Sequence, residues 1–390
     1  MPSHLVWPEL EAREPHVVPE RGEVRELNQP AAPMPLHGPP SPVQRPVAEL
    51  LGLYPESAGL LPMQHPAWVI SCVTTFVTHS QLTLLAAGDQ PLRRALAPLW
   101  CSGPGRWSHL ELLGSAQTGE PSDLLWSDET ALQALADQLA RQRLAIKLNR
   151  VPADSPTLPA LRRAFHGRGL MLVREAQGTP TLALDPSWLW PNDKFNAGRR
   201  SDFRRAERHA ERLGGLSFEL HEQLSEQELD RLLDEAYAVE ARSWKGASGS
   251  AMLHDPMRGA FFRRYAHAAM RSGMLRLALM RIGGLAVGMQ IAVEWQDRFW
   301  LLKIGYDAAY SKCSPGLLLM LHTVQHAAER GLKSYEFLGS PAPWTSLWTR
   351  TLRPCVRVLA YPASVPGAVS LAGDLLQTLR QRFAARRSQP

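Results

Sequence analysis

Between Leu275 and Gly339 the chain has few ways to fold. Leu275 to Ile282 reads as a strand, and Gly283–Gly284 as a two-residue hairpin turn in which both positions take positive φ without steric cost. Leu285 to Glu294 is the return strand and Arg298 to Tyr306 a third. A polar loop from Asp307 to Cys313 leads into Ser314–Pro315–Gly316 and a helix running to Gly331; Ser334 to Leu338 follows as a strand that ends in Gly339. The order is three antiparallel strands, a Ser/Gly loop, a helix and a parallel strand.

The loop residues suit an anion. Ser314 is a good N-cap, Pro315 fits the first helical position, and Gly316 has no side chain to obstruct a ligand. The backbone N–H groups of Gly316, Leu317 and Leu318 and the positive end of the helix dipole would face a pyrophosphate, with Lys312 as a mobile charge beside it. The same three residues also describe an ordinary capped helix.

Four runs carry a family resemblance. The first is Tyr306–Asp307, Tyr310–Ser311, Ser314 to Leu318, Gly331, Tyr335 to Gly339 and Trp348; the second is Glu240 to Ala251. The third is the basic run Arg199 to Arg205, and the fourth Leu61 to Trp68 with Asp123–Leu124–Leu125. Together they span roughly residues 58 to 350 and resemble the CelD-like branch of the GNAT acetyltransferase superfamily, which is related in fold to the FemAB peptidyltransferases. The resemblance implies an α/β (α+β mixed) fold of two GNAT-like lobes, each a mixed, mostly antiparallel sheet flanked by helices. Residues 58–195 would be a degenerate lobe without a CoA loop and 196–362 the acyltransferase lobe. It also implies acetyl-CoA or another acyl-CoA as co-substrate, no metal, and N-acyl transfer to a small-molecule or saccharide amine of exopolysaccharide or cellulose synthesis. Cofactor contacts would come from Tyr306, Lys312, Ser314, Gly316, Leu317 and Leu318. Ser314 stands where relatives usually have a glycine, and Ser340 to Thr345 lacks the lysine and acid often found there. Two other readings share the resemblance: a FemAB-like transferase using charged tRNA, and an accessory protein of polymer synthesis with a relic fold.

N-acyl transfer needs a neutral amine, a thioester placed against it and a stabilised oxyanion. In the implied fold the thioester arm lies between the strands Arg298–Tyr306 and Ser334–Leu338. Glu336 lies in the second, between Tyr335 and Phe337 that point to the other face, where an unpartnered carboxylate is costly. It is the first candidate base and Glu240 the second; an ion pair is the structural alternative for each. Tyr237, Glu240 and Trp244 share one helix face with Lys245 next, an aromatic and charged lining for an acceptor. Arg204, Arg208 and Arg212 line one side of a helix from Phe195 to Gly214, either as an anion-binding face or as solvated ion pairs with Glu207 and Glu211. His322 and His326 have metal-ligand spacing, but Thr323 stands where a zinc protease motif needs glutamate and no third ligand is evident.

A net charge of +6 over 390 residues fits anionic small ligands without calling for nucleic acid. Four separated cysteines and no apolar leader or spanning segment point to the cytoplasm. The first 50 residues hold eleven prolines, so 1–48 is expected as a disordered arm. In the first half, helices are expected at Pro66–Val77, Asp128–Arg141 and Pro159–Gly167, with strands at Gln81–Ala87, Leu144–Leu148, Leu170–Val173 and Thr181–Leu184. Beyond Gly339 a strand is expected at Val356–Ala360. A basic amphipathic helix over 366–390 carries Val369, Ala372, Leu375, Leu376, Leu379 and Phe383 as one stripe, flanked by Arg380, Arg382, Arg386 and Arg387. Docking of that stripe on the body is the expectation; contact with a membrane surface or a polysaccharide-synthesis complex is the alternative.

Overall fold

The computed structural model of the chain describes residues 61–77, 82–88, 95–243, 249 and 251–387, with backbone alone at 106 and 381–387. The proline-rich arm expected over 1–48 lies outside the described residues. In chain order the elements are α1 (Pro66–Phe76), β1 (Leu82–Ala87), β2 (Ala95–Ser102), β3 (His109–Leu112), α2 (Ser115–Thr118), β4 (Leu125–Trp126), α3 (Glu129–Ala140), β5 (Ala145–Pro152), α4 (Thr157–Phe165) and β6 (Gly169–Ala183). There follow α5 (Ala197–Arg212), β7 (Leu216–His221), α6 (Glu226–Ala241), α7 (Pro256–Arg271), β8 (Leu275–Ile282), β9 (Leu285–Trp295), β10 (Arg298–Tyr306), α8 (Pro315–Glu329), β11 (Ser334–Glu336), β12 (Leu352–Pro362) and α9 (Val365–Arg387).

The strands form one mixed sheet in the order β1-β2-β3-β5-β12-β6-β11-β10-β9-β8-β7, with β4 beside β2. Only β3–β5 and β10–β11 pair in parallel; the other pairs are antiparallel. This is the mixed α/β architecture expected, a large and mostly antiparallel sheet flanked by helices. Local chemistry sets the ends of its helices. Asn196, Ser225 and Asp255 accept backbone N–H groups at the starts of α5, α6 and α7, and Ser225 with Glu228 completes a reciprocal capping box. Gly283 and Gly284, with φ of 59° and 80°, make the tight β8–β9 turn.

Chain order and spatial halves interleave. β12, the strand expected at Val356–Ala360, lies between β5 and β6 in the N-terminal half-sheet. In return α1 packs in the C-terminal half, where Trp68 meets Phe261 and Tyr265 edge-on with ring centroids at 4.8 Å. The two strands expected at 170–173 and 181–184 are one strand, β6. It is continuous because β12 pairs with it from Gly169 to Pro180 and β11 from Thr181 to Ala183.

Asp123 ties the loop before β4 to the start of α4. It is 8% exposed and accepts Ser155 Oγ at 2.5 Å, Thr157 Oγ1 at 2.6 Å and Leu124 N at 2.8 Å. Burial outweighs these donors and pushes its carboxyl up to about 6. The folded chain therefore keeps a proton that the unfolded chain sheds between the ordinary aspartate range and about 6, so this group's contribution to stability falls as pH rises through that window. His65 runs the other way, burial holding its imidazole down to about 4. The informative comparison is thus between two proteins. In urea titrations Asp123→Asn should lose about 1 kcal/mol less stability than the wild type between about pH 5 and pH 7. Parallel curves would show that Asp123 titrates normally.

Candidate active site

The opening between β10 and β11 has a backbone cause. β11 pairs with β10 at only three positions, ending at Trp300 opposite Glu336. Phe337 N–H then turns to Pro180 O across β6, and Leu338 and Gly339 both adopt left-handed backbone, with φ of 55° and 53°. That conformation is strained for a leucine, and Leu338 is held in it by burial. It carries the chain away from β10. On β10 the register with β9 slips between Leu301 and Lys303, so Leu302 has no opposite residue and the strand bends at the mouth of the opening.

Polar groups from both halves converge there. Arg150, itself in left-handed backbone, donates to Gly119 O, Gln177 O and Gly339 O. Gly339 N–H donates to Glu120 Oε2 at 3.4 Å, and Arg258 donates to Gln117 O. Burial pushes the half-buried Glu120 carboxyl above the ordinary range, opposed by the charges of Lys303, Arg150 and Arg258. Lys303 lies over the Phe262 ring, 4.4 Å from its centroid. The Gln117 amide is buried at both polar atoms without a hydrogen-bond partner. A carboxyl raised by burial beside cations and an unsatisfied amide is an arrangement associated with substrate sites.

At the far end of β10 the phosphate loop is leaner than the sequence implied. Ser314 takes left-handed backbone (φ 46°, ψ 50°), which aims its carbonyl into the helix, where it accepts both Leu317 N–H and Leu318 N–H. Those two donors, expected for a pyrophosphate, are spent. Pro315 has no N–H, so Gly316 N–H, the Ser314 hydroxyl (which caps no backbone group) and the exposed Lys312 are what the loop offers an anion. These can hold one phosphate group. Gly316 is buried beside Tyr306, 3.6 Å from a Cβ placed on it. The basic helix α5 packs against the 3-10 turn Ala308–Cys313 that leads into this loop, and its Arg204 is exposed. From Leu301 to Tyr306 is about 17 Å of strand, which separates the loop from the cleft.

The two predicted bases are placed otherwise. Glu336 is fully buried; its Oε1 accepts Ser334 Oγ at 2.7 Å, Arg353 at 3.0 Å and Arg298 at 3.1 Å, and burial raises its carboxyl despite both arginines. This is the ion-pair alternative, with β12 supplying Arg353. Glu240 is 1% exposed and accepts Met252 N–H at 2.9 Å; a Cβ on Gly305 of β10 would lie 3.1 Å from its Cα. Tyr237 is also a core residue, donating to Gly259 O at 2.9 Å. Trp244 and Lys245 lie outside the described residues. His326 bonds Glu294 at 3.1 Å while His322 stacks on Phe218, and among the described residues no group of three or more His, Cys, Asp or Glu could hold a metal. The cleft residues Glu120, Arg150, Arg258 and Lys303 went unpredicted. No local motif marks them, because up to 183 positions separate residues that the fold brings together.

Residues 197–346 match the family model described as an acetyltransferase (GNAT) domain. Over these residues the chain is similar to that family. The matched segment holds α5, the loop at Ser314 and the β10–β11 opening, while Glu120 and Arg150 come from outside it. FemX shares the fold, with a TM-score of 0.50 at 11% identity over 83% of this chain and 96% of that one. Also similar are the C-terminal domain assigned to a lysylphosphatidylglycerol synthetase of Agrobacterium fabrum (0.49, 12%, 86% of this chain and 95% of that one) and a tandem GNAT protein of the clavulanic acid pathway (0.40, 10%, 82% and 94%). No curated protein matches the sequence.

Proposed function

We propose that the protein is an N-acyltransferase that moves an acyl group from acyl-CoA to an amine. The observation that carries this reading is the opening between β10 and β11, with the loop at Ser314–Gly316 at one end and the polar cleft at the other. The donor phosphate would sit on Lys312, the Ser314 hydroxyl and Gly316 N–H, with Arg204 nearby on α5. The arm would follow β10 past Tyr306 to the bulge at Leu302, where backbone freed from the β9 register faces the thioester carbonyl. The amine, held in the cleft, attacks that carbonyl; the C–N bond forms, the C–S bond breaks, and the thiolate leaves and is protonated by the acid form of the base or by solvent. Glu120, rather than Glu336, takes the amine's proton. The polar lining around Gln117, Gln177 and Ser340 suits a hydroxyl-rich acceptor, in keeping with an amino sugar or a polysaccharide precursor.

Calorimetric titration with acetyl-CoA tests the donor. The pair Lys312→Ala and Ser314→Ala should weaken binding by roughly tenfold or more, the scale of a lost charge-assisted hydrogen bond. The melting temperature should hold, since Lys312 is exposed and the Ser314 hydroxyl caps nothing. A wild-type chain that gives no heat with acetyl-CoA sinks the acyl-CoA reading. The two donors already spent on Ser314 favour, as second reading, an aminoacyl group delivered on tRNA, for which a charged-tRNA transfer assay is the test.

A further inference from the structure

The C-terminal helix is docked by the side opposite to the one its sequence suggested. Asp374 of α9 accepts Lys147 Nζ at 2.9 Å and Tyr361 OH at 2.7 Å. Gly367 and Ser370 are buried, and Gly373 is so close to Trp107 that a Cβ there would lie 2.3 Å from the ring. Small and polar residues make the contact together with Leu371, which packs against Ala145, Leu359 and Tyr361. Most of the apolar stripe expected to dock faces solvent instead: Leu376 is 55% exposed, Leu375 and Leu379 49% each and Ala372 is exposed, while Val369 is half-buried and the Phe383 side chain lies outside the described residues; with Val365, 76% exposed, and Ala368 the exposed apolar positions number six. At helical spacing these six positions fall within an arc of about 100°.

Charge on the same element says what covers it. From residue 375 to 390 the sequence has four arginines, Arg380, Arg382, Arg386 and Arg387, and no acidic residue. Among the described residues no helix is long and apolar enough to cross a bilayer. A stripe of leucines along one side of a docked helix, with arginines and no acids toward its end, has the chemistry of an interfacial element. We propose that α9 seats the protein on an anionic lipid surface, with Leu375, Leu376 and Leu379 at the acyl boundary and the arginines on lipid phosphates. The GNAT domain is then held beside the membrane without being inserted in it. This inference does not depend on the acyl donor or acceptor.

The test is co-sedimentation of the full chain with vesicles of phosphatidylglycerol mixed with phosphatidylcholine, against vesicles of phosphatidylcholine alone. Binding is expected to the anionic vesicles only. The triple variant Leu375→Gln, Leu376→Gln, Leu379→Gln should lose at least roughly tenfold in affinity, and Arg380→Gln about fivefold, with unchanged melting temperature because these side chains are exposed. The proposal is overturned by a wild-type chain that ignores anionic vesicles, by equal binding to phosphatidylcholine alone, or by binding that survives the triple variant. It is also overturned if the triple variant converts a dimer to a monomer while neither protein binds vesicles, which would give the stripe to a second copy.

Discussion

Replacing Glu120 by glutamine is expected to lower turnover by roughly a hundred- to ten-thousand-fold, the range that loss of a positioned general base produces. Glutamine keeps the oxygen that accepts Gly339 N–H, so the cleft and the melting temperature should survive. The pH profile is the sharper readout. Burial raises the Glu120 carboxyl, and a base acts in its ionised form. The wild-type rate should therefore fall on the acid side below a midpoint above the ordinary glutamate range. In Glu120→Gln that acid limb should disappear together with most of the rate. The assay is CoA release with amino sugars and polyamines as acceptors. A variant that keeps full turnover and the same acid limb would remove Glu120 from the chemistry.

Glu336→Gln should do the reverse, costing the fold rather than the reaction. Its oxygen still accepts from Ser334, but Arg298 and Arg353 lose their counter-charge in a largely buried site. Removing one member of a buried ion pair typically costs about 3–5 kcal/mol. A smaller loss, about 1–2 kcal/mol, is expected, because burial already works against the ionised Glu336 carboxyl and the two arginine side chains remain 24% and 17% exposed. Urea unfolding should show that loss, while turnover per folded molecule and its acid limb stay near wild type. Wild-type stability with a lost acid limb would return the role of base to Glu336.

What could be read in advance followed local signals. β8 through α8 appear within a residue or two of expectation, because alternation, the Gly283–Gly284 turn and the Ser-Pro helix start are properties of neighbouring residues. β2 was not expected. Pro98 argues against an interior strand, yet it sits in the sheet opposite Leu84, and its carbonyl accepts Leu113 N–H. β11 proved two residues shorter than expected because Leu338 leaves strand geometry under tertiary constraint, which leucine's own preferences do not signal. The site divides in the same way. The sequence marked the loop at Ser314, but the orientation of the Ser314 carbonyl, and so the loss of two donors, depends on a left-handed backbone that serine rarely adopts. Glu336 stood out because a carboxylate between aromatics is conspicuous; its arginine partner on β12 comes from a strand that crosses into the other half-sheet.

That crossing has a mechanical consequence. β6 runs unbroken for 15 residues within the sheet where the two halves join, paired with β12 along most of its length and with β11 over its last three residues. Rotating one half against the other would shear the β6–β11 ladder, three residue pairs long. In the proposed transferase, exchanging the loops at the rim of the opening should therefore change which amines enter while that short ladder stays in place.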